Sequence, residues 1–348
     1  MQLSFRWYGP QDAVTLQGIR QIPGVVGVVS ALHEIAPGEV WPNGAVRKLV
    51  DQIEENGLML TAVESLPVHE DIKLGNPTRD QYIDNYNASL KNLAAAGVST
   101  VCYNFMPVFD WTRTDLARQF PDGTTSLSYN HSDLARIDLS HGTGDLPGWS
   151  AAFDSAQLKK LLQVYSEVSE YMLWDNLAYF LHRVIPVAED LGMRLGIHPD
   201  DPPWSIFSLP RILVNGDALH RYIKIVDSPA NGLSLCTGSL GALPTNDVPD
   251  LVEKFSAIDR IAFMHVRNIH IDGEKSFHET AHPSAYGDLN MVAILKALHK
   301  NGFKGPLRPD HGRMIWSETG KPGYGLYDRA LGAAYLNGLW EGVSSNEN

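Results

Sequence analysis

The feature that most constrains this chain is a rhythm. Short β-branched or apolar runs alternate with helical patterns that stop at glycine. The runs occupy residues 5–8, 25–32, 58–66, 98–106, 193–198, 233–237, 261–266 and 306–309. Four of them follow a helical pattern closed by Gly57, Gly97, Gly192 or Gly302. Glycine at such a position supplies the left-handed residue that ends a helix. Strands separated by helices pair in parallel through right-handed crossovers. Eight such units predict a single (β/α)8 TIM barrel spanning residues 1–348. No G-x-G-x-x-G follows a strand and no P-loop occurs, which argues against a nucleotide-binding open sheet. The first strand is the least regular, so a shorter open sheet with a C-terminal helical piece is the alternative.

One stretch breaks the rhythm. Residues 109–155 are rich in Gly, Pro, Ser, Thr and Asp, and they read as a long insertion after the fourth strand. Insertions of this length act as lids, binding loops or interfaces, or are tolerated surface loops. We expect a lid or interface.

Composition limits the function classes. With 28 Lys and Arg against 40 Asp and Glu, the 348-residue chain carries a net charge of −12. A phosphate backbone is a poor partner for such a surface, so nucleic acid is not expected. A small anion is still compatible, because it needs only a local cation. No apolar run is long enough to span a membrane. The N-terminus lacks the pattern of a signal peptide, and two cysteines make no disulfide framework. The expected setting is a reducing one, the cytoplasm.

In a TIM barrel the reactive face is built from the C-terminal ends of the strands. Those ends carry His33, Glu64, Asn104, His198, Cys236, His265, Arg267, Arg308, Asp310 and His311. His198, Cys236, His265 and Asp310 fall on four successive strands, at spacings of 38, 29 and 45 residues. These are barrel-unit spacings, not those of a zinc finger. Imidazole, thiolate and carboxylate together suit a divalent transition metal, without choosing among Mn, Fe, Co and Zn. Taken singly, a strand-end histidine is more often structural, and a lone cysteine is usually a small buried hydrophobe. The four compatible types together favour a metal.

Beside Asp310, His311 is an acid–base candidate. Tyr324, in a Gly- and Pro-rich loop, offers a hydroxyl for proton transfer if a nearby cation lowers its pKa. Arg6, Arg267 and Arg308 stand where a substrate carboxylate can be clamped. In FHETAH, His278 and His282 are four apart, yet the string is not H-E-x-x-H. We read His278 as a group for substrate hydroxyls.

The strings RWYGP, ESLPVHEDIK, VCYNFMPVFDWTRTDL, HPDDPP, CTGS, HVRN, FHETAH, RPDHG and PGY make the chain resemble the mannonate dehydratase family over nearly its whole length. HPDDPP together with RPDHG is the most specific pair. The resemblance implies a xylose-isomerase-like TIM barrel and a metal-dependent lyase holding Mn²⁺ or Fe²⁺. It implies dehydration of the sugar acid D-mannonate to 2-keto-3-deoxy-D-gluconate in glucuronate breakdown, by a homodimer or higher homo-oligomer. It places the metal on His198, Cys236, His265 and Asp310, and acid–base chemistry on His311 and Tyr324. Trp7, in RWYGP, and Asn104, in VCYNF, join the arginines and His278 as substrate-binding candidates. The segment between Asp115 and Leu158 looks shorter than in long family members, and AHPSAYGDLN is spaced differently. The alternatives are a sugar isomerase on the same barrel, or a sugar-acid-binding relative that has lost the chemistry. An isomerase usually holds its metals with several carboxylates, a pattern this set lacks.

Overall fold

A computed structural model describes residues 1–137 and 155–345. Its strands are β1 (Gln2–Arg6), β2 (Gly27–Ser30), β3 (Met59–Glu64), β4 (Thr100–Tyr103), β5 (Asp115–Gln119), β6 (Thr125–Asn130), β7 (Arg194–Ile197), β8 (Asn231–Cys236), β9 (Ile261–Val266), β10 (Ile269–Gly273), β11 (Ser276–Glu279) and β12 (Pro306–Pro309). Eight of them close a barrel in the order β1-β12-β9-β8-β7-β4-β3-β2, every pair parallel. The irregular first strand is the closing one, since β1 pairs with both β2 and β12. The open-sheet alternative is thereby set aside.

The glycine stops fall where the sequence places them. Gly57, Gly97, Gly192 and Gly302 all have positive φ, between 66° and 85°. They follow the helices Asn43–Glu54, Arg79–Ala95, Glu170–Asp190 and Met291–Lys300. Each helix turns an apolar stripe inward. Leu173, Leu177, Phe180, Leu181, Val184 and Ile185 of the third are buried, at the spacing of one helix face.

The insertion is not a featureless loop. Its described part forms the hairpin β5–β6, which joins β10 and β11 in a four-stranded antiparallel sheet ordered β10-β11-β6-β5. Residues 138–154 of the expected lid lie outside the described residues. The sheet is tied to loops that leave the C-terminal ends of the barrel strands. Thr125 bridges Met314 after β12, and Trp204 after β7 donates to the Tyr129 hydroxyl at 3.2 Å. FHETAH, for which a helical pairing was one option, lies on the extended strand β11 and just beyond it.

Inside the barrel Val29, Ala62, Cys102 and Phe263 pack together, fully buried. Phe263 also meets the ring of His265 edge-on at 4.4 Å. This small apolar plug is the floor on which the polar residues stand. Phe263→Ala is expected to cost about 3–5 kcal/mol of unfolding free energy, through lost burial and an unfilled cavity. A denaturant midpoint unchanged from wild type would contradict that placement.

Candidate active site and metal centre

Strand register sets the site. Cys236 on β8 lies opposite His265 on β9, and His265 lies opposite Arg308 on β12. Side chains level with one another in a parallel barrel point the same way, so all three enter the interior. His198 follows β7 directly, its N–H held by the Tyr103 carbonyl at 2.7 Å.

The donor atoms of His198, Cys236 and His265 all lie within 4.8 Å of one another. His198 Nδ1 is 2.7 Å from the Pro199 carbonyl oxygen. As a donor there, it fixes the ring and turns Nε2 toward the Cys236 sulfur. The Cys236 sulfur accepts the Ser239 N–H at 3.4 Å. His265 Nε2 is buried and makes no hydrogen bond. Burial and then the Arg308 guanidinium push His265 well below the ordinary imidazole value, so it is neutral, the form that ligates a metal. Burial opposes the charge on His198, yet its hydrogen bond and Coulombic attraction to Cys236, with Asp110 and Asp201, lift it to about 9. An orphaned neutral imidazole, a buried sulfur and a second imidazole fit a divalent transition ion. Asp310 lies alongside this trio. Its Oδ2 is 3.6 Å from the Cys236 sulfur, and its Oδ1 accepts from Arg308 at 2.7 Å.

His311 and Tyr324 form one unit, with His311 Nε2 2.7 Å from the Tyr324 hydroxyl. His311 Nδ1 lies 2.7 Å from Glu279 Oε1. Donation to that carboxylate orients the ring and leaves Nε2 as an acceptor for the phenol. A neighbouring cation does not turn Tyr324 into a phenolate. Burial raises its pKa well above the ordinary value, Tyr8 and Asp310 add to the rise, and Arg308 opposes it. Tyr324 therefore keeps its proton.

A ring of buried charge carries this pair. Arg113 grips Asp201 with two bonds, 2.8 and 3.0 Å, and Glu279 with two more, 3.1 and 2.7 Å. Arg267 bonds the same two carboxylates at 2.8 and 3.0 Å. Burial alone would raise Asp201, but Arg113 and Arg267 hold it far below the carboxylate range. Arg308 grips Glu64 in the same way, at 2.9 and 2.7 Å. From behind, Arg329 donates to the carbonyls of Tyr324, Gly325 and Arg6 at 2.5, 2.7 and 3.2 Å. Its neighbour Asp328 accepts from the Arg313 backbone at 2.9 Å. The start of the last helix, Tyr327–Ser345, thus staples the loops of both His311 and Tyr324.

These groups surround one cavity of about 320 Å³. Its walls include Arg6, Asn104, His198, His265, Arg267, Arg308, Asp310, His311 and Tyr324 from the sequence reading. Cys236 lies buried beneath. Most donors of Arg267 and Arg308 are occupied by protein carboxylates, so they organise the site more than they offer a free clamp. Arg6 donates to the Glu64 carbonyl and keeps Nε without a partner.

Trp7 and His278 do not line the cavity. Both misplacements have one cause, the two-residue alternation of extended chain. Arg6 and Tyr8 face in while Trp7 packs in the core. On β11, Glu279 is buried against His311, and His278 faces the other side, paired with Asp272 at 3.0 Å. Glu279, Asp201 and Arg113 have no role assigned from the sequence alone. All three sit inside the strings that carry the family resemblance, and the alternation along FHE was the available signal for Glu279. Tyr8, His33, Asp110, Trp111 and Lys321 also line the cavity.

The sequence profile of the family described as D-mannonate dehydratase (UxuA) matches residues 1–348. The chain is 54% identical over 345 residues to mannonate dehydratase 2 of Halalkalibacterium halodurans, covering 99% of this chain and 100% of that protein. It is similar to the crystal structure of mannonate dehydratase from Streptococcus suis serotype 2, with TM-score 0.93, 47% identity, and 100% and 96% of the two chains covered. A xylose isomerase domain protein from Planctomyces limnophilus, 13% identical with TM-score 0.55 over 99% and 98% of the chains, shares the fold alone.

The charge ring predicts an acid limit. Asp201 and Glu279 are depressed in the folded state, so the unfolded chain binds more protons as pH falls. Their contribution is complete above the unfolded carboxylate values of 3.8 and 4.5 and is lost as pH drops below them. Thermal midpoints measured downward from pH 6 should fall steeply there for the wild type and less steeply for Asp201→Asn. Parallel curves would contradict the assignment. Arg113→Ala, which leaves two buried carboxylates to share Arg267, should cost about 3–5 kcal/mol.

Proposed function

The chain belongs to the D-mannonate dehydratase family, and we propose that it removes water from D-mannonate to give 2-keto-3-deoxy-D-gluconate in glucuronate breakdown. One observation carries this reading. Three metal-donor side chains lie within 4.8 Å of one another, and two of them, His198 and His265, line a cavity together with a hydrogen-bonded His311–Tyr324 pair.

His198, Cys236 and His265 would hold the metal, Mn²⁺ or Fe²⁺, with Asp310 beside them as the fourth donor. Bound there, it supplies a positive charge for the substrate carboxylate and the negative charge that develops next to it. The proton on C2 must leave, and the hydroxyl on C3 must depart as water. We assign the first task to His311, whose Nε2 carries the lone pair, shared with the Tyr324 hydroxyl, when Nδ1 donates to Glu279. The second falls to Tyr324, which burial keeps protonated. The enol left at C2–C3 becomes the 2-keto acid by gaining a proton at C3 and losing the one on the C2 oxygen. Arg267 and Arg113 hold Glu279 ionised, which keeps the His311 ring oriented.

Among the described residues no helix is long and apolar enough to cross a membrane. Both cysteines are buried and free. A reducing cytoplasmic setting suits a Cys236 thiolate ligand, and a homodimer or higher homo-oligomer is part of the same proposal.

The decisive experiment incubates the Mn²⁺-loaded protein with a panel of aldonates and of aldoses, and assays 2-keto-3-deoxy acid. Product from D-mannonate and none from aldoses is expected. Isomerised aldose, or no turnover of any aldonate, would overturn the reading. His311→Asn and Tyr324→Phe should each lower kcat by about 10²–10⁴-fold with the fold intact. Combining them should cost far less than the product of the two losses, because the pair acts as one unit. His198→Ala and Cys236→Ser should lower metal content by elemental analysis. Full occupancy in both would remove them as ligands.

A further inference from the structure

Asp110 differs from the other carboxylates of the cavity. Glu64 and Asp310 face Arg308, while Asp201 faces Arg113 and Arg267. Asp110 lines the same cavity yet forms no ion pair among the described residues. Its Oδ1 accepts the N–H of Trp111 at 2.9 Å, and its Oδ2 has no protein donor there.

The position is nonetheless held firmly. Buried Arg211 donates to the carbonyls of Phe109 and Asp110 at 2.9 and 3.3 Å. Arg211 lies in turn 3.9 Å from Asp200, whose carboxylate caps the backbone of Ile212 and Leu213. The next residue, Trp111, sets its ring 5.2 Å from His311 and 6.5 Å from Tyr324. The reacting pair therefore lies on the Trp111 side. Asp110 and Asn104 also line a second chamber of about 320 Å³, toward Glu70, Lys73 and Met106. The two cavities meet at these two residues and at Pro37 and Pro67.

A carboxylate placed in a wall without an ion-pair contact is costly unless something donates to it. Burial raises its pKa, against the pull of His198, Lys73 and Arg211. A polyhydroxy acid brings several donors. We propose that Asp110, with Asn104 beside it, determines specificity for the far end of the substrate. Its carboxylate accepts hydrogen bonds from chain hydroxyls beyond the reacting C2 and C3, and the second chamber receives the end of that chain. The inference rests on the aldonate dehydratase reading and adds to it which part of the substrate is read, and by what.

The test compares wild type, Asp110→Ala and the isosteric Asp110→Asn, all full-length and Mn²⁺-loaded. Two ligands are used, D-mannonate and a four-carbon aldonate of the same C2 and C3 configuration. Turnover and calorimetric binding are both measured. Asp110→Ala should weaken D-mannonate binding and raise KM by about 10- to 100-fold. Its kcat and metal content should hold, and the four-carbon ligand should bind all three proteins alike. Asp110→Asn should fall between the two others. Equal losses on both ligands, a drop in kcat with KM unchanged, loss of metal, or no effect would each overturn the proposal. If wild type binds D-mannonate but releases no keto acid, the dehydratase reading fails. The binding comparison still decides the role of Asp110.

Discussion

The site rests on buried charge that only its own members can neutralise. Arg113 and Arg267 each hold both Asp201 and Glu279, and all four are essentially without solvent. Removing any one leaves charge stranded in a medium that cannot solvate it. The four come from the loops after β4, β7 and β9 and from β11. The ring therefore ties together segments that the barrel alone would leave as independent excursions. His311, bonded to the ring through Glu279, inherits its position, and Tyr324 inherits it from His311.

The same arrangement explains how an acidic protein receives an acidic substrate. Arg308 and Arg267 offset the ionised carboxylates beneath the cavity. Arg6 and Lys321 line it, and among the described residues no carboxylate side chain is bonded to either. Both contact Tyr8, the guanidinium of Arg6 at 4.6 Å from the ring centroid and the Lys321 ammonium at 3.8 Å. Local potential at the mouth, not the chain total of −12, meets the ligand.

Much of the architecture was legible in the sequence because barrels are written in period and punctuation. The eight runs and the four glycine stops correspond to strands and helix ends, since both depend on local stereochemistry. The ligand types at successive strand ends were legible for the same reason. What escaped depends on side-chain direction. One residue of slip along extended chain exchanges Trp7 for Tyr8 and His278 for Glu279, and composition does not signal the phase. The hairpin β5–β6 escaped because its partners, β10 and β11, lie about 150 residues further on. Arg113 escaped because its two partners come from the loop after β7 and from β11. Asp110 lies within VCYNFMPVFDWTRTDL, but nothing in that string marks it off from its neighbours.

The staple made by Arg329 and Asp328 also sets an order in time. β1 finds its second neighbour, β12, only some 300 residues later. The loops bearing His311 and Tyr324 are pinned by residues that emerge later still. At roughly 5–20 residues per second of synthesis, the chain spends many seconds with His198, Cys236 and His265 already made but the reactive pair unanchored. The loops of His311 and Tyr324 reach their final positions only once Asp328 and Arg329 have been made.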